Sequence, residues 1–360
     1  MSKPTILVTG ATGKTGLPTA MQLLTAGYPV RAFVHRRDAR SERLRAAGAE
    51  VVCGSLEDFS DLQPALRSVQ RAYFCPPLEY GTLRRASLFA AAAQAARLEV
   101  VVALSQWAVD PCHQAVHSRE KWLSDQMFAW MPDVDVVTIN PGFLADNYMA
   151  TLDTVTQLGL FGMPLGEGMN APPSNEDVAR VIVGALAHPT NYIGKSYRPT
   201  GPHLLSPSDI ATTFAKILGR PVTYQNAPLP LFLKVAQSLH LSGFVIEQLY
   251  WYLQDYQRNA FAIGAPTDVV MDIGGKPPED FEQIGRRYLA AYGRAGRTAA
   301  NTLHAIGNVL RAIVTPAPNL AAISRRLAIP QIEHATLAAD SPLWRSTHVP
   351  PRTNGRSRED

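Results

Sequence analysis

The feature that most constrains this chain is an apolar run that stops at a glycine turn: Thr5-Ile6-Leu7-Val8-Thr9-Gly10-Ala11-Thr12-Gly13-Lys14-Thr15-Gly16, followed by the helix-like Leu17 to Ala26. It reads as strand, phosphate turn and helix. A continuous apolar run suits a strand buried on both faces, and Leu17, Ala20, Leu23 and Leu24 share one face of the segment after it. Gly27 supplies the helix stop. Within the turn, Gly10 permits a sharp exit from the strand, Gly13 removes a side chain that would block a pyrophosphate, and Gly16 lets the helix close on the strand. The helix N-terminus then offers an anion its unpartnered N–H groups and the positive end of its dipole. With strand and helix on either side, this is a dinucleotide site rather than an ordinary tight turn.

The alternation continues. Val30 to His35 reads as a second strand, Ser41 to Ala47 as a short helix stopped at Gly48, and Val51-Val52-Cys53 as a third strand. Ser60 is a candidate cap for a helix over 61–69, whose Leu62, Ala65, Leu66 and Val69 form a stripe. Ala72 to Cys75 is a fourth strand ended by Pro76-Pro77, and an alanine-rich helix over 82–96 leads to the buried strand Val100 to Leu104. A helix from about His117 to Trp130 and the strand Val134 to Ile139 complete the series. The expected fold is α/β, a Rossmann-type doubly wound parallel sheet.

In such a fold the end of the second strand reads the adenine ribose, and NAD calls for an acid there. Here the strand ends at His35-Arg36-Arg37, with Asp38 beyond it in the loop. A cationic end suits the 2′-phosphate, so NADP(H) is preferred over NAD(H). The adenine ring is expected at Ser55-Leu56. Ligands of parallel sheets bind at the carboxyl ends of the strands, which places the chemistry at Ser105, Gln106 and Trp107 and from Asn140 through Phe143 to Asn147.

Composition narrows the class. No stretch approaches the ~18 uninterrupted apolar residues of a membrane span, and Met1-Ser2-Lys3-Pro4 runs into the first strand without an apolar signal segment, so a cytoplasmic protein is expected. Cys53, Cys75 and Cys112 lack the spacing of a disulfide framework or a metal site, so no metal is expected. From Arg286 onward there are eleven arginines, no lysines and four acids, which marks a basic tail. Nothing matches a nucleic-acid module.

Taken together the residues resemble the NmrA-like family of atypical short-chain dehydrogenases/reductases over about residues 5–292. The resemblance is carried by the glycine turn, by Val30-Arg31-Ala32-Phe33-Val34-His35-Arg36, and by Thr138-Ile139-Asn140-Pro141-Gly142-Phe143 with Asn147. It continues through Asn175-Glu176-Asp177-Val178-Ala179, Thr200-Gly201-Pro202 and Ile217-Leu218-Gly219-Arg220-Pro221-Val222. It implies a Rossmann lobe over 1–150 with returning segments, a smaller C-terminal α/β substrate lobe over 151–294, and NADP(H) as the usual cofactor. The implied cofactor contacts are Gly10, Thr12, Gly13, Lys14, Thr15, Gly16, His35, Arg36, Ser55, Leu56, Pro76 and Lys121. Where the family commonly has arginine at the end of the second strand this chain has His35, which leaves Arg36 as the phosphate ligand. Relatives often carry arginine at the place of Asn140 and aspartate at the place of Ser55.

Orthodox short-chain dehydrogenases use Tyr-x-x-x-Lys, and this chain has His117-Ser118-Arg119-Glu120-Lys121. Residues four apart share a helix face, so His117 and Lys121 can point together toward the nicotinamide and its ribose. Lys121 would bind the ribose hydroxyls, with His117 and Ser105 orienting or protonating the substrate. A neighbouring ammonium disfavours the imidazolium, which makes His117 a weak proton donor. Electron-poor acceptors such as quinones, enones or iminium compounds ask least of such a site. The alternative role is a non-catalytic NADP(H) sensor acting through a protein partner.

In the second half, Ser174 caps a helix to about Ala187, Tyr192 to Thr200 reads as a strand, and Ser206-Pro207-Ser208-Asp209 opens a helix stopped by Gly219. The aromatic-rich 229–256 can close over an apolar substrate. The basic extension 295–360 is expected to form helices over 300–314 and 320–327 and a disordered end from Pro350. Packing on the body, homodimer formation and contact with an anionic partner are the uses left open for it.

Overall fold

The computed structural model describes residues 3–349. Seven strands form one parallel sheet: β1 (Ile6–Thr9), β2 (Val30–Val34), β3 (Glu50–Cys53), β4 (Arg71–Phe74), β5 (Val100–Leu104), β6 (Asp135–Ile139) and, from the second half, Ser196–Tyr197. Their spatial order is β3-β2-β1-β4-β5-β6 with Ser196–Tyr197 at the edge beside β6. The order reverses between β1 and β4, so the crevice at a topological switch point opens there. All pairs are parallel and in register, with Ile6 opposite both Val30 and Arg71.

The pleat sorts the apolar residues of each strand onto two cores. Ile6, Val8, Val30 and Val137 pack under α1 (Gly16–Thr25) and a returning helix, Asn175–Ala187, whose Val178, Val181 and Ile182 are fully buried. Leu7, Phe33 and Phe74 face the opposite layer with Phe89 of the helix Thr82–Ala96 and Phe128 of the helix Val116–Ala129. A third core, around Trp107, Phe143, Tyr148, Phe161 and Phe214, builds the second lobe over a two-stranded parallel sheet, Leu160–Met163 with Thr223–Asn226.

Several local expectations are displaced by capping chemistry. α2 (Ala39–Ala46) starts earlier than Ser41, because Asp38 and Ser41 form a capping box. α3 (Phe59–Ala65) is capped by Asp58, not Ser60: Asp58 accepts from Ser60 N and satisfies a first-turn donor directly. α4 (Thr82–Ala96) has a left-handed glycine at its N-cap and takes its capping carboxylate from across the layer, Thr82 N donating to Glu120 Oε2 at 2.9 Å. The expected strand 192–200 shortens to Ser196–Tyr197. The helices at Ser174 and Ser206 begin with the caps read from the sequence.

Residues 295–349 form Ala299–Val314, Leu320–Arg326, a 3-10 turn at Ala338–Asp340 and the short helix Pro342–His348. The last of these folds back onto the body. The end from Pro350, expected to be disordered, lies outside the described residues. Among the described residues no helix is long and apolar enough to cross a membrane, and no cluster of His, Cys, Asp and Glu is placed to hold a metal.

Candidate active site

At the carboxyl end of β1 the backbone doubles back, Gly13 N donating to Gly10 O at 2.8 Å. Gly10 has φ of +57°, and a Cβ there would meet Cys75 O at 2.6 Å. A Cβ on Gly16 would meet Gly10 O at 2.1 Å, so no other residue lets α1 approach β1 this closely. Thr15 is buried and ties the turn to β4, its Oγ1 lying 3.1 Å from the Tyr73 hydroxyl. Lys14 reaches away from the turn to Asp146, 2.5 Å distant, where the carboxylate is nearly fully buried. Lys14 thus ties the glycine turn to the 3-10 segment Ala145–Thr151 that follows β6.

From this turn a cavity of about 460 Å³ runs across the sheet edge. Its walls include Gly10, Thr12 and Gly13, then His35 and Arg40, then Ser55, Leu56 and Pro76. Arg36 is exposed and does not line the cavity; Arg40, in the first turn of α2, takes that side of the wall. The Arg40 guanidinium is held there by Asp38, 2.7 Å away, and donates to Thr12 O at 3.3 Å. Asp38 is therefore occupied as a cap and an arginine partner. At the far end the buried Arg85 pairs with Glu57 at 2.6 Å and Glu79 at 3.1 Å, closing that end of the cavity. Its glycine cradle fits a dinucleotide, with the Arg40 guanidinium on its flank.

Beyond β5 lies α5 (Val116–Ala129), which presents His117, Lys121 and Asp125 at successive turns. Lys121 Nζ donates to Leu104 O, the last carbonyl of β5, at 2.5 Å. Ser105 Oγ and Asp125 Oδ2 are 2.5 Å apart. Burial pushes the Asp125 carboxyl up to about 7, against the opposing pull of the Ser105 hydrogen bond and the Lys121 charge. Burial also lowers the Lys121 ammonium, with Asp125 acting the other way. His117 is enclosed: the Thr82 hydroxyl lies 3.3 Å from its Nδ1 and the Phe244 ring stands edge-on at 5.8 Å. Burial, aided by Lys121, lowers this imidazole to about 3, so it is neutral at physiological pH.

The residues expected to meet substrate divide into two groups. Gln106 and Asn140 line up at the ends of β5 and β6, Asn140 Nδ2 donating to Gln106 O at 3.1 Å and Gln106 Nε2 to Ser118 Oγ at 2.7 Å. Asn140 Oδ1 is buried without a protein partner, an acceptor left for a bound group. Asn147 lies half-buried in the turn after β6. Trp107 and Phe143, by contrast, are packed in the core: Trp107 donates from Nε1 to Ala260 O, and Phe143 sits among Tyr148, Tyr252, Tyr256 and Phe261.

Trp107 is covered by the C-terminal extension. Trp344 donates from Nε1 to Trp107 O at 2.9 Å and stacks on His348. The same segment is tied down by Ser341 Oγ to Asp110 Oδ2 at 2.5 Å and by Ala338 N to Asp255 Oδ1 at 2.9 Å. The other oxygen of Asp255 holds the buried His113 at 2.8 Å. His113 thus sits at the centre of this attachment, with Ala115 N donating to its Nδ1 at 2.9 Å.

Asp125 and Arg40 were missed by reading residues alone. Asp125 follows Lys121 by the same four-residue spacing that links Lys121 to His117, so periodicity carried the signal. Arg40 stands just beyond the cationic strand end, and its place on the cavity depends on the Asp38 cap. The buried Arg85 has no such sequence signal.

A family model described as NAD(P)H-binding matches residues 10–189. The NAD(P)H azoreductase of Xenophilus azovorans is 28% identical over 303 residues, which is 81% of this chain and 100% of the relative. The crystal structure of an Escherichia coli NADPH-dependent quinone oxidoreductase complexed with NADPH superposes with a TM-score of 0.69 at 21% identity, covering 78% of this chain and 99% of that one. NmrA, a negative transcriptional regulator solved in complex with NADP, superposes at 0.67 with 17% identity over 79% of this chain and 95% of its own.

Proposed function

The chain belongs to the NAD(P)H-binding family, and from that premise we propose that it is a cytoplasmic NADPH-dependent oxidoreductase acting on a small, electron-poor organic acceptor such as a quinone, enone, iminium or azo compound. The observation that carries this reading is that a glycine-lined cavity at the carboxyl ends of β1 to β4 stands in the same sheet as a largely enclosed polar group at the carboxyl end of the neighbouring strand β5, made of Ser105, Lys121 and Asp125. Curated relatives named as reductases support it. Gly10, Thr12 and Gly13 would hold the pyrophosphate, His35 and Arg40 the 2′-phosphate side, and Ser55, Leu56 and Pro76 the adenine side. When bound, the reduced nicotinamide supplies a hydride.

The chain's own part is binding, orientation and proton supply. Lys121, anchored at the end of β5, is placed to hold the ribose hydroxyls. Asn140 Oδ1 and the Gln106 amide orient the acceptor. With His117 neutral and enclosed, the polar group nearest the strand end that can act on a developing oxyanion is Ser105. Acceptors already poor in electrons suit this arrangement, because hydride delivery to them leans little on a general acid.

A second reading is a sensor that binds NADP(H) without turnover. It draws on the absence of a tyrosine ahead of Lys121, on the commitment of that ammonium to a main-chain carbonyl, and on the fold shared with NmrA. NADPH oxidation by purified protein across quinones, enones, azo dyes and iminium dyes separates the two. Turnover with any acceptor supports the enzyme. Confirmed NADPH binding with no turnover supports the sensor.

A further inference from the structure

Asp125 stands behind Ser105, one turn beyond Lys121 on α5. A hydroxyl has one proton and two acceptor sites, and a carboxylate can only accept. At 2.5 Å from Asp125 Oδ2, Ser105 must therefore give its proton inward whenever Asp125 is ionised, leaving only lone pairs for the site. When Asp125 is a carboxylic acid, its own proton fills that contact and the serine hydroxyl is free to donate outward. We propose that Asp125 and Ser105 form a proton relay, in which Asp125 stores the proton and Ser105 passes it to the oxygen or nitrogen of the hydride acceptor.

The inference rests on the reductase reading and deepens it. The electrons balance with one hydride from reduced nicotinamide and one proton from Ser105. The acceptor is reduced by two electrons, Asp125 refills Ser105, and the resulting carboxylate takes a proton from solvent.

The surroundings suit a store. Burial holds the carboxyl near neutrality. Lys121, four residues back on the same helix, is the cation that faces it, and Ser105 is its contact from the β5 side. Cys75 at the end of β4 acts on Lys121 rather than on Asp125, and Glu120 turns away to Thr82 N. His117 keeps no proton at neutral pH and cannot substitute.

The test has two readouts. Infrared titration of the cofactor-free protein should show a protonated carboxyl that ionises within about one unit of pH 7, disappears in Asp125→Asn, and moves upward in Ser105→Ala because the hydrogen bond that favours the carboxylate is gone. No such carboxyl overturns the store, whether or not any acceptor is ever found. In kinetics, wild-type turnover of a quinone or enone should fall about tenfold per pH unit above that midpoint. In Asp125→Asn the amide donates permanently to Ser105 Oγ and the alkaline limb flattens, while Ser105→Ala is slowed about 10²-fold at all pH. An alkaline limb unchanged in Asp125→Asn overturns the relay. If Asp125→Asn does not fold, the upward shift in Ser105→Ala decides. If the wild type oxidises no NADPH, the reductase reading fails and the infrared result still judges the store.

Discussion

Replacing Trp344 by alanine tests how the C-terminal extension is held. The side chain is 1% exposed, stacks on His348 with ring centroids 3.8 Å apart, and donates to Trp107 O at 2.9 Å. Truncating a buried tryptophan costs about 3–5 kcal/mol. The lost hydrogen bond adds about 1 kcal/mol and leaves the Trp107 carbonyl unpaired. The loss falls first on the extension, whose remaining ties include Ala338 N to Asp255, Ser341 to Asp110, Arg119 Nη2 to Pro330 O and the main-chain bridge of Thr336 to Cys112 and Gln114. A cost of about 4 kcal/mol is roughly a 10³-fold rise in local opening, up to the limit set by the segment's own docking energy. Hydrogen exchange should show Thr336, Ala338 and Arg345 amides exchanging that much faster, while β1, β4 and β5 keep their protection. Wild-type protection at those three amides, or parallel loss throughout the sheet, would refute the reasoning.

Three further outcomes follow from the geometry. Gly16→Ala places a Cβ 2.1 Å from Gly10 O, a backbone atom that cannot yield, so NADPH binding by calorimetry should be lost; binding within twofold of wild type would contradict the turn described. Arg40→Ala should weaken NADPH about tenfold and NADH little, the loss of one charge-assisted contact, whereas Arg36→Ala changes neither much; equal weakening of both cofactors would remove Arg40 from the 2′-phosphate. His117 and His348 are both held near about 3 by burial, below the ordinary 6.5. The unfolded chain therefore binds protons the folded chain does not, and stability falls as pH drops below about 6.5. Asp125 works in the opposite sense, retaining a proton in the folded chain between 3.8 and about 7. His348→Gln should make the acid limb of chemical denaturation shallower by about 1.4 kcal/mol per pH unit, and an unchanged slope would show that His348 is not kept neutral.

The Rossmann lobe was legible because its signals are local. Apolar runs, glycine stops and helix stripes each specify an element, and parallel alternation leaves few topologies. The phosphate turn follows from three glycines whose conformations have one use. What escaped was set by contacts between distant segments. Arg40 reaches the cavity because Asp38 caps α2 and grips it, a geometry the cationic string His35-Arg36-Arg37 does not display. His117 shares a face with Lys121 as its spacing requires, yet Phe244, more than a hundred residues later, encloses it. Trp107 and Phe143 stand at strand ends where ligands bind, and the aromatic core of the second lobe takes both. No local pattern pairs Trp344 with Trp107 or joins His113 to Asp255.

The most direct test of the central claim is NADPH oxidation, measured across the acceptor panel for the wild type and for Lys121→Ala after both are shown to bind cofactor. The account predicts turnover by the wild type with at least one electron-poor acceptor and its loss in the variant. Bound NADPH with no wild-type turnover, or full turnover without Lys121, would contradict it.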